Sequence, residues 1–154
     1  MTIDQALAEA ISLLKPAIDN ALGNEVAKVV KQTQAETAAT YVYGVYGPKM
    51  YPRRGSFTNQ GQMSVEVGGG RLTVKSTAKP SSFSVPAGRA TTGKDLVALV
   101  EGGNGSGGTY DWWTKGAYMG PRPFIEITGA QLEGSRQHVD ALRAGLSRQG
   151  FKVK

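Results

Sequence analysis

The sequence predicts an α+β fold in which N- and C-terminal helices pack on a small, mostly antiparallel β-sheet, with long loops between the elements. The helices are predicted by two stretches in which apolar residues recur at helical spacing, one before residue 40 and one after residue 121. A third predicts the sheet, since two short alternating runs flank three consecutive glycines. The length of 154 residues fits a single domain with a helical arm (1–39), a sheet with loops (40–120), and a C-terminal helix with a short terminal strand (121–154).

The first element is a helix that begins at a capping box. The Thr2 hydroxyl can accept a hydrogen bond from the Gln5 backbone N–H, and the Gln5 side chain can accept one from the Thr2 backbone N–H. Four apolar residues then recur at helical spacing and form one stripe: Ile3, Leu7, Ile11 and Leu14. Pro16 lacks a backbone donor, so it should end or kink this helix near Leu14.

A second helical run continues the same period to about Ala39, with apolar positions at Ile18, Leu22, Val26, Val29 and Val30. The two runs together make a helical arm or hairpin. We expect the apolar stripe to pack in the core. The alternative is a helix that faces a partner protein.

Residues 41–54, YVYGVYGPKMYPRR, combine tyrosines, prolines, glycines and cations. Prolines stiffen the backbone, and a tyrosine can bury its ring while its hydroxyl finds a partner. We therefore expect an ordered, extended connector. Two interpretations stay open, a surface loop pinned to the core or a contact surface for a protein or a polyanion. The candidate contact residues are Tyr43, Tyr46, Pro48, Tyr51, Arg53 and Arg54.

The strongest β-sheet signal lies in residues 62–77. Residues 62–67 and 71–77 flank three glycines at 68–70, and apolar–polar alternation in the second run predicts an antiparallel hairpin. The glycines are interpreted as a turn. A phosphate-binding loop would also need a Lys-Ser/Thr pair and a following helix, which this stretch lacks.

The region after the hairpin is predicted to be rich in loops. Residues 79–94 abound in Pro, Ser, Thr and Gly, so we expect a long loop. The apolar run 95–101 is predicted to be a strand or edge element, with a brief helix as the alternative. A flexible glycine-rich segment, 102–108, follows. Adjacent tryptophans in a strand face opposite sides, so one of Trp112 and Trp113 can enter the core while the other lies at an edge or interface.

A single C-terminal helix is predicted from Pro123, which suits a first helical position, to Arg148. The positions on its packed face are Phe124, Thr128, Leu132, Val139, Leu142 and Leu146. Gly150 is a suitable C-terminal cap. Residues 151–154 alternate apolar and basic, which predicts a short terminal strand.

The composition argues against several kinds of active site. Without cysteine there is no disulfide, thiolate nucleophile or cysteine zinc site, and the single His138 excludes a multi-histidine metal site. His138 lies in a predicted amphipathic helix without a nucleophile-elbow pattern, so a packed or solvated histidine is favoured over a catalytic one. No acidic residues stand in a recognisable motif. We therefore expect no catalytic residue, no cofactor and no metal.

The N-terminal residues do not resemble a secretory signal. Asp4 and Glu9 lie where such a signal has positive charge followed by an uninterrupted apolar run. No apolar run in the chain is long enough to cross a membrane. We expect a protein without a membrane partner that stays in the cytoplasm or in an assembly built there.

The net charge of +6 is concentrated in the middle of the chain. Residues 37–94 carry eight cations and one acid, whereas residues 1–36 are net negative and residues 95–154 are nearly balanced. A basic region can meet nucleic acid or an acidic neighbouring subunit. The candidate polyanion contacts are Lys49, Arg71, Lys75, Lys79, Arg89 and Lys94.

Three motifs together resemble a known protein family. They are V-Y-x-x-Y-x-P-x-x-Y-x-R-R at 42–54, L-V-x-x-V-E-x-G at 96–103, and R-P-F at 122–124. Their order and spacing resemble the neck proteins of long-tailed bacteriophages, the tail-completion or minor head-tail joining family, from about residue 20 to the end. The resemblance implies an α+β fold and a homo-oligomeric ring, commonly of six subunits, where the DNA-filled head meets the tail. It implies neighbouring neck, portal-side and tail-tube proteins as partners, and the virion as the location.

The favoured hypothesis is a structural neck-ring subunit without catalysis, assembled in the host cytoplasm, with the packaged DNA as a further contact in the channel. Tail terminator and head-closure stopper are variants of this role. Besides the tyrosine segment, the predicted subunit interface includes Trp112, Trp113, Arg122 and Phe124. Arg122 and Phe124 would also anchor the C-terminal helix against the sheet. The alternative is a basic nucleic-acid-binding module. An enzyme that uses His138 ranks last.

Overall fold

The computed structural model describes residues 2–44, 56–78, 97, 100–101 and 122–153. It confirms the α+β fold, because N- and C-terminal helices accompany a two-stranded antiparallel sheet. The helices are α1 (Ile3–Ala21), α2 (Ala27–Thr37), α3 (Phe124–Ser135) and α4 (Gln137–Arg148), with π-helical segments at Leu22–Val26 and Ala38–Tyr43. The strands are β1 (Met63–Gly68) and β2 (Arg71–Ser76), preceded by a 3-10 turn at Gln60–Gln62.

Helix α1 begins at the predicted capping box and continues through Pro16. The Thr2 hydroxyl accepts from the Gln5 N–H at 3.3 Å, and the Gln5 side chain accepts from the Thr2 N–H at 2.9 Å. The predicted end of the helix near Leu14 is therefore wrong. Pro16 is exposed, so the carbonyl that loses its helical partner can bond to water. Just beyond it, Ala17 and Ala21 are buried against α4 and hold the helix together.

The two π-helical segments join α1 to α2 and extend α2, so that residues 3–43 form one helical run. A π-helical turn holds an extra residue, and it therefore rotates the face that later residues present. Leu22 and Val26 are buried. Helix α2 then buries three polar side chains where the apolar stripe was expected to continue: Thr33, Gln34 and Thr37.

The predicted single C-terminal helix is instead two helices, α3 and α4. Arg136 between them has a left-handed backbone with φ of 56°, and its N–H donates to the Leu132 carbonyl at 2.9 Å. The break falls in the gap of the apolar pattern between Leu132 and Val139. This gap contains Gly134, which lowers helix propensity, so neither packing nor propensity favours an uninterrupted helix here.

The end of α4 confirms the predicted glycine cap but not the terminal strand. Gly150 has φ of 89°, and across it the Phe151 N–H donates to the Leu146 carbonyl at 3.1 Å. Residues 151–153 form no strand. Phe151 instead packs against the cluster of Ala17, Ala21 and Leu146.

Helices α3 and α4 lie antiparallel to the helical run 3–43. Early in α3, Thr128 meets Thr37, and late in α4, Leu146 packs against Ala17. The Gln149 side chain donates to the Ala17 carbonyl at 3.0 Å. The two helical parts therefore pack on each other, and the hairpin contacts the first π-helical segment and α2.

The hairpin confirms the predicted strands and the glycine turn. Strands β1 and β2 pair in antiparallel register as far as Gly68 and Arg71, so Gly69 and Gly70 form the loop. Both glycines have positive φ, 60° and 77°, as a type I′ turn requires. The Gly70 N–H donates to the Asp19 carboxylate on α1 at 2.8 Å, which docks the turn on the helical run.

The described residues of the run 95–101 are helical, so the predicted strand is wrong. Val97, Val100 and Glu101 have helical backbone, and Val100 is buried. A spacing of three places Val97 and Val100 on the same side of a helix, whereas a strand would point them to opposite faces. Both contact the same apolar cluster, in agreement with their helical backbone.

The first twelve residues of α1 carry an apolar face that no described element covers. The exposed fractions are 87% for Ile3, 57% for Leu7, 43% for Ile11, 61% for Leu13 and 38% for Leu14. The predicted core packing is therefore wrong for these residues. Burial begins at Ala17, because α4 ends beside it. We refer to these five side chains as the apolar face of α1.

Candidate partner-contact site

An apolar cluster at the far end of the helical run joins distant parts of the chain. This base cluster consists of the buried residues Ala38, Val42, Phe57, Ala78, Val100 and Phe124, with Tyr43 and Val97 packed against it. Its members border the three long stretches that lie outside the described residues. Residues 45–55 lie between Tyr43 and Phe57 in the chain, residues 79–96 follow Ala78, and residues 102–121 precede Phe124. Each stretch therefore starts and ends at the same end of the helical run.

Three aromatic rings form the centre of the base cluster. Phe124 is fully buried, and its ring centroid lies 5.2 Å from that of Phe57. The Tyr43 ring lies 6.4 Å from the Phe57 ring. Tilted ring pairs at such separations are favourable beyond the area they bury. The Phe57 N–H also donates to the Tyr43 hydroxyl at 3.1 Å, so the tyrosine is held by its polar tip as well as by its ring.

Arg122 ties the start of α3 to the end of the helical run. Its guanidinium donates to the Val42 carbonyl at 3.1 Å, and its backbone N–H donates to the Val100 carbonyl at 3.0 Å. The last carbonyls of a helix lack intrahelical partners and carry partial negative charge, so a cation is favourable there. Glu101 caps the N-terminus of α3, because its carboxylate accepts a hydrogen bond from the Ile125 N–H at 2.7 Å in the first turn of that helix.

A buried threonine pair links α2 to α3 beside the base cluster. The hydroxyl oxygens of Thr37 and Thr128 lie 2.5 Å apart, and both residues are buried. Each hydroxyl also lies within hydrogen-bond distance of a carbonyl one turn back, that of Thr33 or Phe124. Buried hydroxyls that are hydrogen-bonded avoid the cost of unpaired polar groups, so the pair holds the two helices in one register.

Three of the predicted interface residues lie at the base cluster: Tyr43 and Phe124 belong to it, and Arg122 hydrogen-bonds to two of its members. Their contacts described above lie within the chain. Arg122 and Phe124 anchor α3 against the helical run and Phe57, whereas we predicted an anchor on the sheet. The other predicted interface residues lie outside the described residues: Tyr46, Pro48, Tyr51, Arg53, Arg54, Trp112 and Trp113. All of them belong to stretches that start and end at the base cluster.

Two of the predicted polyanion contacts, Arg71 and Lys75, lie on β2, and both are exposed. The Lys75 ammonium lies 3.0 Å from the Glu66 carboxylate, with exposed fractions of 58% and 63% for the two side chains. So exposed a pair contributes little to stability, but it cancels one positive charge of the middle region. The remaining candidates lie outside the described residues: Lys49, Lys79, Arg89 and Lys94.

No group of three or more His, Cys, Asp or Glu side chains that could hold a metal ion occurs among the described residues. His138 lies in the first turn of α4 and is half-buried. Its Nδ1 has no hydrogen-bond partner among the residues that the structure describes. None of the helices described above is long and apolar enough to cross a membrane.

Sequence reasoning missed Phe57 and the pairing of Thr37 with Thr128. Phe57 is the one aromatic residue in the polar stretch 55–61, and an isolated aromatic in such a stretch is a usable signal for an anchor to the core. The threonine pair has no comparable signal, because 91 positions separate its members.

Comparison with known proteins identifies a family and a prophage relative. The YomN family matches residues 5–148. The SPbeta prophage-derived uncharacterized protein YomN of Bacillus subtilis (strain 168) is 28% identical over 154 residues, covering 96% of this chain and 99% of the relative. No solved structure matches the chain at a significant level. Because the match extends from α1 to the end of α4, the chain belongs to the YomN family.

Proposed function

We propose that this chain is a structural virion protein of a bacteriophage neck, a subunit of a homo-oligomeric ring that joins the DNA-filled head to the tail. The observation that carries the proposal is that the residues flanking stretches 45–55, 79–96 and 102–121 meet at the base cluster. A ring subunit needs contact segments that extend from a rigid body, so that contact with a neighbour leaves the core unchanged. The prophage relative supports a phage origin.

The charges of these stretches support a position beside DNA. They hold seven cations and two acids. Cations that line a channel would bind the phosphates of packaged DNA without reading its sequence. The tyrosines and tryptophans of the same stretches would contact neighbouring copies and the portal-side and tail-tube proteins. A tail terminator and a head-closure stopper are variants of the same ring.

The test replaces two tyrosines of the first stretch in one variant, Tyr46→Ala with Tyr51→Ala, in the phage that encodes the chain. We expect complete heads and complete tails that fail to join, counted by electron microscopy of lysates, with loss of infectious titre. Tyr41→Ala is the matched control, since Tyr41 is 40% exposed and lies before the stretch. It should leave the titre unchanged. Normal particles from the double variant would contradict the proposal.

Light scattering of the purified protein distinguishes the ring from the nucleic-acid-binding alternative. We expect rings when assembled tails are added. A protein that does not associate with tails, but binds DNA at about 0.15 M salt with an affinity that falls steeply as salt rises, would be a nucleic-acid-binding module instead.

A further inference from the structure

The apolar face of α1 lies at the opposite end of the helical run from the base cluster. About 24 residues separate Leu14 from Ala38, which corresponds to roughly 36 Å at the helical rise. The stretches 45–55, 79–96 and 102–121 therefore start far from this face. A contiguous exposed apolar surface usually marks a site of association.

We infer that this face binds the same face of a second copy, with the two α1 helices antiparallel. Six apolar positions of residues 3–14, on one side of the helix, are symmetric about the midpoint of this stretch, so each of the six has an apolar partner on the second copy. The pairings are Ile3 with Leu14, Ala6 with Ile11, and Leu7 with Ala10. A two-fold contact requires this self-complementarity, because residue i meets residue j and j meets i. Alanine opposite leucine or isoleucine also lets the helices approach and interdigitate.

The charges on α1 fit the antiparallel arrangement. At about 100° per residue, Asp4 and Lys15 fall on the same flank of the apolar face, about 20° apart, near its opposite ends. In a two-fold antiparallel pair each flank meets the same flank of the other copy. Lys15 of one copy then lies beside Asp4 of the other, and this occurs twice. A parallel two-fold pair would instead place this flank of the two copies on opposite sides of the contact, so Lys15 of one copy would not lie beside Asp4 of the other.

The size of the contact predicts a reversible dimer. Twelve helical residues give a face roughly 18 Å long and 10 Å wide, well below the ~800 Å² per partner of a stable interface. We therefore expect association at high protein concentration and dissociation on dilution. This inference does not depend on a role in the neck.

Sedimentation velocity across a concentration series, from about 1 μM to about 100 μM, tests the association. Wild-type protein should shift from monomer to dimer, and Leu7→Glu should remain monomeric throughout. Ser12→Glu is the matched control, because it adds the same charge on the opposite side of α1, and it should dimerise. Leu7 is 57% exposed, so Leu7→Glu should keep the thermal unfolding curve of the wild type.

Either of two results would overturn the inference: wild-type protein that is monomeric at every concentration, or a dimer that Leu7→Glu leaves intact. The first would assign the apolar face to a different protein, and the second would place the dimer contact elsewhere on the molecule.

Disulfide formation tests the orientation, since the chain contains no cysteine. A variant with both Ile3→Cys and Leu14→Cys should form covalent dimers on mild oxidation, because the antiparallel pair places position 3 opposite position 14. Each single variant should stay uncross-linked, because its two thiols would lie roughly 16 Å apart along the helix, beyond disulfide reach. Cross-linking of the single variants would show a parallel pair. No cross-linking of the double variant under dimerising conditions would also reject the arrangement.

Discussion

Gly145 allows α4 to approach α1 closely because it has no side chain. A Cβ at this position would lie 2.7 Å from the Ala21 Cβ and 2.8 Å from the Glu25 carboxylate. Ala21 is fully buried, and Glu25 is held in place by Arg148 at 2.9 Å. The absent side chain therefore sets the distance between the two helices.

We expect Gly145→Ala to destabilise the protein, although alanine favours a helix by roughly 1 kcal/mol over glycine. The new methyl would overlap Ala21, and overpacking of this kind costs about 1–3 kcal/mol. The matched control is Gly129→Ala in α3, where nothing lies within 4 Å of an added Cβ. It should stabilise by about 0.5–1 kcal/mol. Urea unfolding measures both changes, and a shift of the same sign in both would refute the close-approach explanation.

Among the elements, the junction of α3 and α4 depends on the left-handed backbone of Arg136. A residue with a Cβ pays roughly 1 kcal/mol for this conformation, whereas glycine adopts it without strain. We therefore expect Arg136→Gly to raise the free energy of unfolding by about 0.5–1 kcal/mol. Ala144→Gly, at an exposed position inside α4, should lower it by about 1 kcal/mol. Thermal denaturation reports both, and a less stable Arg136→Gly would mean that the side chain itself holds the junction.

Local signals predicted the elements, and the errors arose where an outcome depends on tertiary contacts. The capping box at Thr2 and the turn at Gly69 and Gly70 involve residues a few positions apart, so the sequence alone predicts them. At Pro16 the helix continues because the residues after it are buried against α4. At Arg136 it breaks where the apolar pattern lapses. The packing that decides the first result joins parts of the chain more than a hundred residues apart.

For the whole molecule, the sequence predicted three members of the candidate site without predicting what they contact. The motifs that contain Tyr43, Arg122 and Phe124 indicated a partner interface, and the structure shows them contacting residues of their own chain that lie far away in sequence. The apolar face of α1 was predicted to be core for a related reason. Amphipathicity shows that one side of a helix is apolar, but it does not say whether the same chain covers that side.

The base cluster should depend on Phe124 more than on its neighbours. Phe124 is fully buried, so Phe124→Ala should cost about 3–5 kcal/mol. A domain typically has a free energy of unfolding of about 5–15 kcal/mol, so this loss would be a large share of it. Ile125→Ala changes the next residue, which is 39% exposed, and should cost about 1 kcal/mol or less. Guanidinium unfolding compares the two variants, and equal losses would exclude a central role for Phe124.

The attachment of three stretches to one cluster has a consequence for how the family can diverge. The residues that flank each stretch lie at the same cluster, and doubling the length of chain between two fixed ends costs only about 0.6 kcal/mol. Insertions and deletions in any one of them should therefore leave the helical core folded. Changes of length in the three stretches and changes in the helical core are therefore expected to affect folding independently.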